Sequence, residues 1–214
     1  MVINKNKDYC YRICHIDNIS HLLNNGLCTK YHPSASEDYI SIGNSQIIDV
    51  RDETQVRLDD YGNLGDYVPF YFTPKSMMLF NIITGYRKPV VKMIPKDKII
   101  IVRCLISELA KLGKFFFTDG QANEKSITKH YSELKYLDCI DWEIIQNCDF
   151  KRTADDIDKT RRYQAEFLVY NQVPTKYIES IIVFNDKAAK FVKTEMAKTD
   201  ILFPIHTNID YFFV

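Results

Sequence analysis

Short runs of β-forming residues, separated by segments with helical spacing, constrain the fold of this 214-residue chain more than any other feature. The runs are rich in β-branched and aromatic side chains, which favour extended backbone. They lie at residues 9–14, 66–72, 98–103, 114–118, 164–170 and 181–184. Helical segments fall between them at irregular intervals, which argues against a doubly wound parallel sheet. We therefore predict an α+β fold with mixed sheets, formed by a single domain over residues 1–214 because no linker-like stretch divides the chain.

Turn and capping residues predict the limits of several elements. Asp17 is expected to cap a helix that Gly26 ends, and Pro74 is expected to begin a helix that Gly85 ends. Pro69 lies inside an aromatic run and predicts an edge strand or a bulge. The remaining expectations are a long polar loop at residues 29–45, helices at Pro174 and near Asn185, and a last strand at residues 209–214.

Charge and motif content exclude several classes of protein. The 28 Lys and Arg residues balance the 28 Asp and Glu residues, so the chain lacks the overall basic field of a protein that binds duplex nucleic acid non-specifically. No apolar run is long enough for a membrane span or a signal peptide, which predicts a cytoplasmic protein. The six cysteines form no C-x-x-C pair and the five histidines lack metal-ligand spacing, so we expect free, mostly buried thiols and no metal site.

Glu166 is the strongest candidate for a catalytic group. This carboxylate stands directly before the apolar residues 167–169, at the start of a predicted strand. A carboxylate in such a place is costly unless it is paired or functional. The structural alternative is that Glu166 lies at a solvated strand end and pairs with Arg162.

Three further features are candidate binding groups. His15 and Asn18 stand at a predicted strand-to-helix junction, where free backbone N–H groups favour anionic or polyhydroxyl ligands. Tyr71 belongs to an aromatic run that offers a flat wall to a ring, although such runs are more often core. Arg51 is a fixed cation beside the long polar loop.

The order of these residues resembles the DarT family, toxins that ADP-ribosylate DNA. The resemblance is carried by five motifs in order along nearly the whole chain. They are Tyr11-Arg12-Ile13-x-His15-Ile16-x-Asn18-Ile19, then Arg51, then Asp66-Tyr67-Val68-Pro69-Phe70-Tyr71-Phe72-x-Pro74-x-Ser76, then Phe117-Thr118-Asp119-Gly120, then Arg162-x-Gln164-Ala165-Glu166-Phe167-Leu168-Val169. The resemblance implies an ADP-ribosyltransferase-like fold of the PARP and toxin type, with a split mixed β-sheet core and flanking helices around a cleft for NAD+.

The resemblance also implies roles for individual residues. Glu166 becomes the catalytic glutamate and Arg51 the active-site arginine, while His15 and Asn18 hold the adenosine or ribose groups of NAD+ and Tyr71 lines the nicotinamide pocket. Residues 29–45 would close over NAD+, and residues 123–162 would recognise the substrate. The implied partners are single-stranded DNA and a macrodomain antitoxin, DarG, which removes the modification; we expect a monomer.

Four residues are candidates for contacting the DNA: Lys75, Arg161, Arg162 and Gln164. Arg51 is left with two possible partners, the NAD+ pyrophosphate and the acceptor base. The sequence departs from the family pattern at Met77, Gln121 and Asp49. Two alternatives stay open at this point: transfer of ADP-ribose to RNA or protein, because acceptor choice lies in loops, and a nucleic-acid-binding module without catalysis.

Overall fold

A single eight-stranded sheet organises the protein, for which the computed structural model describes residues 7–213. The strand order is β10-β9-β4-β1-β3-β7-β5-β6, and every pair is antiparallel except β10 with β9. The strands are β1 (Tyr9–His15), β3 (Tyr67–Tyr71), β4 (Ile99–Leu105), β5 (Phe115–Thr118), β6 (His130–Tyr131), β7 (Glu166–Tyr170), β9 (Ser180–Val183) and β10 (Ile205–Thr207). A separate two-stranded ribbon pairs β2 (Leu27–Cys28) with β8 (Gln172–Val173). The sheet is therefore mixed, as predicted.

The sheet opens between β1 and β3. These two strands pair only at Tyr11 and Tyr71, whereas β1 and β4 pair along seven residues. Pro69 lies in β3, which is an interior strand, so the prediction of an edge strand is wrong. A proline is accommodated there because the two strands separate, and its carbonyl accepts a hydrogen bond of 2.9 Å from Arg12 Nη1.

Seven α-helices flank the sheet, and their limits follow local capping chemistry. They are α1 (Ile19–Asn25), α2 (Ser45–Glu53), α3 (Met77–Thr84), α4 (Ile106–Ala110), α5 (Trp142–Gln146), α6 (Lys159–Tyr163) and α7 (Asp186–Met196) among residues 7–213. Gly26 and Gly85 end α1 and α3 in positive-φ conformations, as predicted. The start of α3 is Met77 rather than Pro74, because the Ser76 hydroxyl accepts the hydrogen bond of its first turn.

Three other predictions of local structure are wrong. The side chain that accepts a hydrogen bond at the first strand-to-helix junction is His15, which binds the backbone N–H of Asp17, so Asp17 is not the cap. Pro174 begins only a short 3-10 helix, Thr175–Tyr177. The closing segment forms a 3-10 helix over Ile209–Tyr211, and the last strand is β10 instead; position 214 lies outside the described residues.

Both faces of the sheet are covered by apolar clusters. The larger cluster contains Cys10, Cys14, Phe70 and Phe167, and a smaller one on the opposite face contains Tyr11 and Ile13. All six cysteines are free, but Cys139 is exposed and Cys28 and Cys148 are half-buried, so only half of the thiols are buried as expected. Within residues 7–213, no helix is long and apolar enough to cross a membrane.

Candidate active site

Glu166 is a buried carboxylate held by Arg51. It is the first residue of β7 and lies directly opposite Tyr71 of β3. Only 5% of its side chain is exposed, and its Oε2 lies 2.8 Å from Arg51 Nη1. The structural alternative, a solvated Glu166 paired with Arg162, is therefore wrong. A buried ion pair is retained at a cost in desolvation, which makes a functional role for this carboxylate the stronger interpretation.

Two further hydrogen bonds fix Glu166, one at its carboxylate and one at its backbone N–H. Its Oε1 accepts a hydrogen bond of 3.2 Å from the Ala122 backbone N–H, and its own N–H donates to Thr118 Oγ1 at 3.1 Å. The carboxylate is thus held at both oxygens, by a guanidinium on one and by an amide on the other. Sequence reasoning missed Ala122, because a backbone donor leaves no signal in residue type.

Arg51 reaches the site from the surface helix α2, which has no buried residue of its own. Its guanidinium nevertheless lies inside, since only 12% of the side chain is exposed. The Nη2 atom is buried and has no hydrogen-bond partner among residues 7–213. A buried guanidinium donor of this kind is suited to an oxygen of a bound substrate.

Tyr71 forms the wall of the site beside Glu166. Its hydroxyl lies 4.0 Å from Met78 Sδ, at the first turn of α3. Burial raises the pKa of the Tyr71 hydroxyl, and the nearby charge of Glu166 raises this pKa further. The phenol is therefore neutral at any physiological pH, and it offers an uncharged ring and a hydroxyl donor to a ligand.

His15 ends β1 and Asn18 ends the 3-10 helix that follows, so both lie at the strand-to-helix junction, as predicted. Burial lowers the pKa of His15, so its imidazole is neutral at pH 7. The Asn18 side chain binds the main chain of Ile40 twice, each time at 2.9 Å, through Nδ2 to the carbonyl and through Oδ1 from the N–H. Asn18 is therefore engaged in fixing the polar loop, which ends where α2 begins at Ser45.

Arg12 is a second residue that sequence reasoning left without a role. It lies at the opening between β1 and β3, where it donates to the Pro69 carbonyl. The Tyr39 hydroxyl of the polar loop lies 3.6 Å from Cys14 Sγ, beside Arg12. Because Arg12 contacts β3 and Tyr39 belongs to the polar loop, this corner joins the polar loop to the opening of the sheet.

Of the candidate DNA-contacting residues, Arg161 and Arg162 are engaged with carboxylates. Arg161 contacts Asp119 and Asp158, and Arg162 contacts Asp141, Asp156 and Asp158. Two cations surrounded by four carboxylates form a group with net negative charge, which repels phosphate. The structure thus gives no support to the prediction that these two arginines bind DNA phosphates.

The other two candidates, Lys75 and Gln164, contact uncharged groups. The Lys75 Nζ lies 5.7 Å from the ring centre of Phe213. Gln164 ends α6 rather than continuing the strand of Glu166, and its Nε2 lies 3.4 Å from Gln121 Oε1. The region predicted to recognise substrate, residues 123–162, contains β6, a 3-10 helix, α5 and most of α6. No cluster of three or more His, Cys, Asp or Glu side chains suited to a metal occurs within residues 7–213.

Comparison with known proteins places this arrangement in a family context. A family model described as ssDNA thymidine ADP-ribosyltransferase, DarT, matches residues 11–213. A DNA ADP-ribosyl transferase from Escherichia coli O127:H6 (strain E2348/69 / EPEC) is 36% identical over 99% of this chain and 96% of its own length. A fusion of a DNA ADP-ribosyl transferase with a DNA ADP-ribosyl glycohydrolase from Thermosipho africanus is 27% identical over 95% of this chain and 49% of the fusion.

Solved structures agree in fold. Thermus sp. 2.9 DarT in complex with ADP-ribosylated ssDNA superposes with a TM-score of 0.84, at 26% identity and with 97% of each chain covered. The same Thermus protein in complex with NAD+ gives a TM-score of 0.79 at 25% identity, with 97% of this chain and 98% of that chain covered. The ADP-ribosyltransferase fold expected from the sequence, a mixed sheet with flanking helices, is confirmed by these similarities.

Proposed function

The chain belongs to the DarT family of single-stranded-DNA thymidine ADP-ribosyltransferases, and on this premise we propose that Glu166 and Arg51 carry the transfer chemistry. The protein is an NAD+-dependent DNA ADP-ribosyltransferase with the toxin role that its family implies. It releases nicotinamide and attaches ADP-ribose to thymidine. The observation that carries the residue assignment is the buried Glu166–Arg51 pair beside Tyr71.

The role of Glu166 follows from the charge that develops on NAD+. When the bond between nicotinamide and ribose breaks, positive charge builds on the anomeric carbon and the ring oxygen of the ribose. A fixed carboxylate that faces this charge, and that binds the ribose 2′-hydroxyl, stabilises the transition state more than the ground state. Arg51 and the Ala122 N–H prevent Glu166 from rotating, so little reorganisation is needed during the reaction.

Arg51 has a second task at the acceptor. Its Nη1 lies 2.8 Å from Glu166 Oε2. Because we place Glu166 at the reacting carbon, the guanidinium would lie next to that carbon rather than at the pyrophosphate end of NAD+. The buried Nη2 donor has no hydrogen-bond partner in the described part of the chain, so it is available to another oxygen there. We therefore assign Nη2 to a carbonyl oxygen of the acceptor base. There it stabilises the negative charge that the base acquires as its ring N–H proton passes to water and the ring nitrogen bonds to the anomeric carbon, from which nicotinamide leaves.

The remaining groups around this pair would bind NAD+. Tyr71 supplies the wall for the nicotinamide ring, and His15 supplies a neutral imidazole whose Nδ1 already accepts the Asp17 N–H. The second ring nitrogen of His15 therefore carries the hydrogen and can donate to a ribose hydroxyl. Asn18 contributes indirectly, because it fixes the loop through Ile40.

A cluster of buried and half-buried aromatic rings supports the surface that we propose for the DNA strand. We define the ring cluster as Phe80, Phe150, Phe213 and Tyr163, whose neighbouring ring centres lie 5.2 to 6.0 Å apart. The Tyr163 hydroxyl donates to the Lys75 carbonyl at 2.6 Å, and the Lys75 ammonium lies over Phe213. Since Tyr163 precedes Glu166 by three residues, the ring cluster borders the catalytic strand.

The segment after α3 extends this surface with exposed aromatic and basic groups. Tyr86 packs against Phe80 with ring centres 5.8 Å apart, and 69% of Tyr86 is exposed. Residues 86–95 contain Arg87, Lys88 and Lys92 and no acidic residue. Stacking rings next to cations suit a single strand, because bases stack on the rings while phosphates meet the positive charge. We therefore propose that the DNA next to the target thymidine crosses Tyr86 and Lys75.

The expected biological partner is an antitoxin that removes the modification. In the Thermosipho fusion, a DNA ADP-ribosyl transferase and a DNA ADP-ribosyl glycohydrolase belong to one chain. By analogy, we propose that a separate macrodomain antitoxin removes the modification made by this protein. We also propose that this protein itself acts as a monomer on DNA in the cytoplasm. Size-exclusion chromatography with light scattering tests the monomer, and co-purification with a macrodomain protein tests the partner.

Mass spectrometry of oligonucleotides tests the proposed function. The protein is incubated with NAD+ and with matched thymidine-containing single-stranded DNA, duplex DNA and RNA, alongside Glu166→Gln. We expect one ADP-ribose on single-stranded DNA, with the adduct lost in Glu166→Gln. Modification of RNA or of the protein itself in preference to DNA would contradict the DNA acceptor. An equal yield from Glu166→Gln would contradict the catalytic assignment.

A further inference from the structure

Arg161 is a positioning residue that holds the catalytic glutamate through a ten-residue loop, and we infer this role from its contacts. The inference rests on the proposed function of Glu166. We define the amide loop as residues 119–128, which form all but the last residue of the connection between β5 and β6 and contain the Ala122 N–H that binds Glu166 Oε1. Whatever fixes the amide loop therefore fixes one of the two oxygens of the carboxylate.

The Arg161 guanidinium binds both ends of the amide loop. Its Nη1 lies 3.2 Å from Asp119 Oδ1 and 3.1 Å from Thr128 Oγ1. The Arg161 carbonyl also accepts a hydrogen bond of 3.0 Å from the Gln121 N–H. Asp158 orients the guanidinium by accepting from Nε and Nη2, each at 2.7 Å. With three contacts on one loop and only 13% of its side chain exposed, Arg161 acts as a clamp.

Gly120 shows how closely the clamp fits. A Cβ atom at this position would lie 2.1 Å from Arg161 Nη1 and 2.9 Å from Cζ. The guanidinium therefore occupies the space that a side chain at residue 120 would need, and any such side chain must displace it. The next links run to the catalytic strand, since the Gly120 carbonyl accepts from the Thr118 hydroxyl at 2.6 Å and the Thr118 oxygen accepts the Glu166 N–H.

Arg162 is a matched control on the same helix. It is also ion-paired with aspartates and 26% exposed, but its partners Asp141, Asp156 and Asp158 lie outside the amide loop. Arg161→Ala should lower kcat for transfer by about a hundredfold, the effect of misplacing a catalytic group by about 1 Å. The KM for NAD+ and the KM for the oligonucleotide should stay unchanged. Arg162→Ala should leave kcat unchanged.

A salt series separates the clamp from a phosphate contact. If Arg161 bound a DNA phosphate, Arg161→Ala would weaken DNA binding and reduce the slope of log affinity against log salt by about 1. The clamp predicts an unchanged slope with a reduced kcat. A reduced slope with kcat intact would overturn the inference.

Gly120→Ala tests the clamp without removing any polar group, and it carries the test if Arg161→Ala does not fold. We expect Gly120→Ala to reproduce the loss of kcat in the presence of Arg161. In the Arg161→Ala background the same change should add no further loss, because the atoms it collides with are gone. Equal losses in both backgrounds, or no loss from Gly120→Ala alone, would overturn the inference. A fully active Glu166→Gln would refute the proposed function, on which the clamp rests. An inactive Glu166→Gln together with fully active Arg161→Ala and Gly120→Ala would refute the clamp and leave the proposed function intact.

Discussion

Replacing the two partners of the Arg51–Glu166 pair, singly and together, should reveal strong energetic coupling between them. Their side chains are 12% and 5% exposed, and the N–O distance is 2.8 Å. Breaking a fully buried pair costs about 3–5 kcal/mol, because the remaining charge is left uncompensated. We expect a smaller value, about 2 kcal/mol of coupling, because α2 has no buried residue and can yield to water when the pair is broken.

The assay is a double-mutant cycle in which the free energy of unfolding is measured in urea for the unmodified protein, Arg51→Met, Glu166→Gln and the double variant. Both substitutions keep the approximate shape of the side chain. A coupling free energy below about 0.5 kcal/mol, the value typical of an exposed pair, would refute the buried geometry. The Arg103–Glu179 pair is a suitable control, because it is also a close ion pair, with an Nε–Oε2 distance of 2.5 Å. Arg103 lies in β4 and Glu179 directly precedes β9, so the pair is outside the candidate active site. Breaking that pair should affect stability and leave transfer activity intact.

Three further predictions concern the loop, the DNA surface and pH. Asn18→Ala removes both bonds to Ile40, so it should raise the KM for NAD+ and cost about 1–2 kcal/mol of unfolding free energy in urea; an unchanged KM would contradict the role of the loop. Tyr86→Ala should weaken single-stranded DNA binding by about 1–3 kcal/mol in fluorescence anisotropy, whereas Tyr31→Ala, a control that is 59% exposed, should not. Burial lowers the pKa of His130 to about 4, so only the unfolded state takes up this proton as the pH falls from about 6.5 to 4. The unfolding free energy should therefore fall by about 1 kcal/mol between pH 7 and pH 5 through His130, and His130→Asn should lack this part of the pH dependence.

Strand positions were predictable from the sequence because they depend on local composition. The runs around residues 99–103 and 115–118 form strands as expected, since dense β-branched and aromatic residues have few alternatives to a buried sheet. Pro69 was misjudged because its tolerance depends on the opening between β1 and β3, a tertiary feature. The closing residues were misjudged for the same kind of reason, since β10 forms by pairing with β9 and has little strand pattern of its own.

The sequence predicted which side chains belong to the site but not the contacts between them. The buried carboxylate Glu166 and the cation Arg51 could be named from motif order, but their contact joins residues 115 positions apart. The Ala122 N–H had no sequence signal at all. Arg161 was misread because a cation has the same appearance in sequence whether it faces phosphate or aspartate, and only the fold shows Asp119 and Asp158 around it.

The most direct test of the central claim is a single-turnover measurement of ADP-ribose transfer to an oligonucleotide with one thymidine. The rate for the unmodified protein is compared with Glu166→Gln, under conditions in which NAD+ binding to both has been verified by calorimetry. We predict that Glu166→Gln binds NAD+ normally and transfers at least about a hundredfold more slowly, corresponding to about 3 kcal/mol of transition-state stabilisation. A rate within a few-fold of the unmodified protein would contradict the assignment of Glu166 as the catalytic carboxylate.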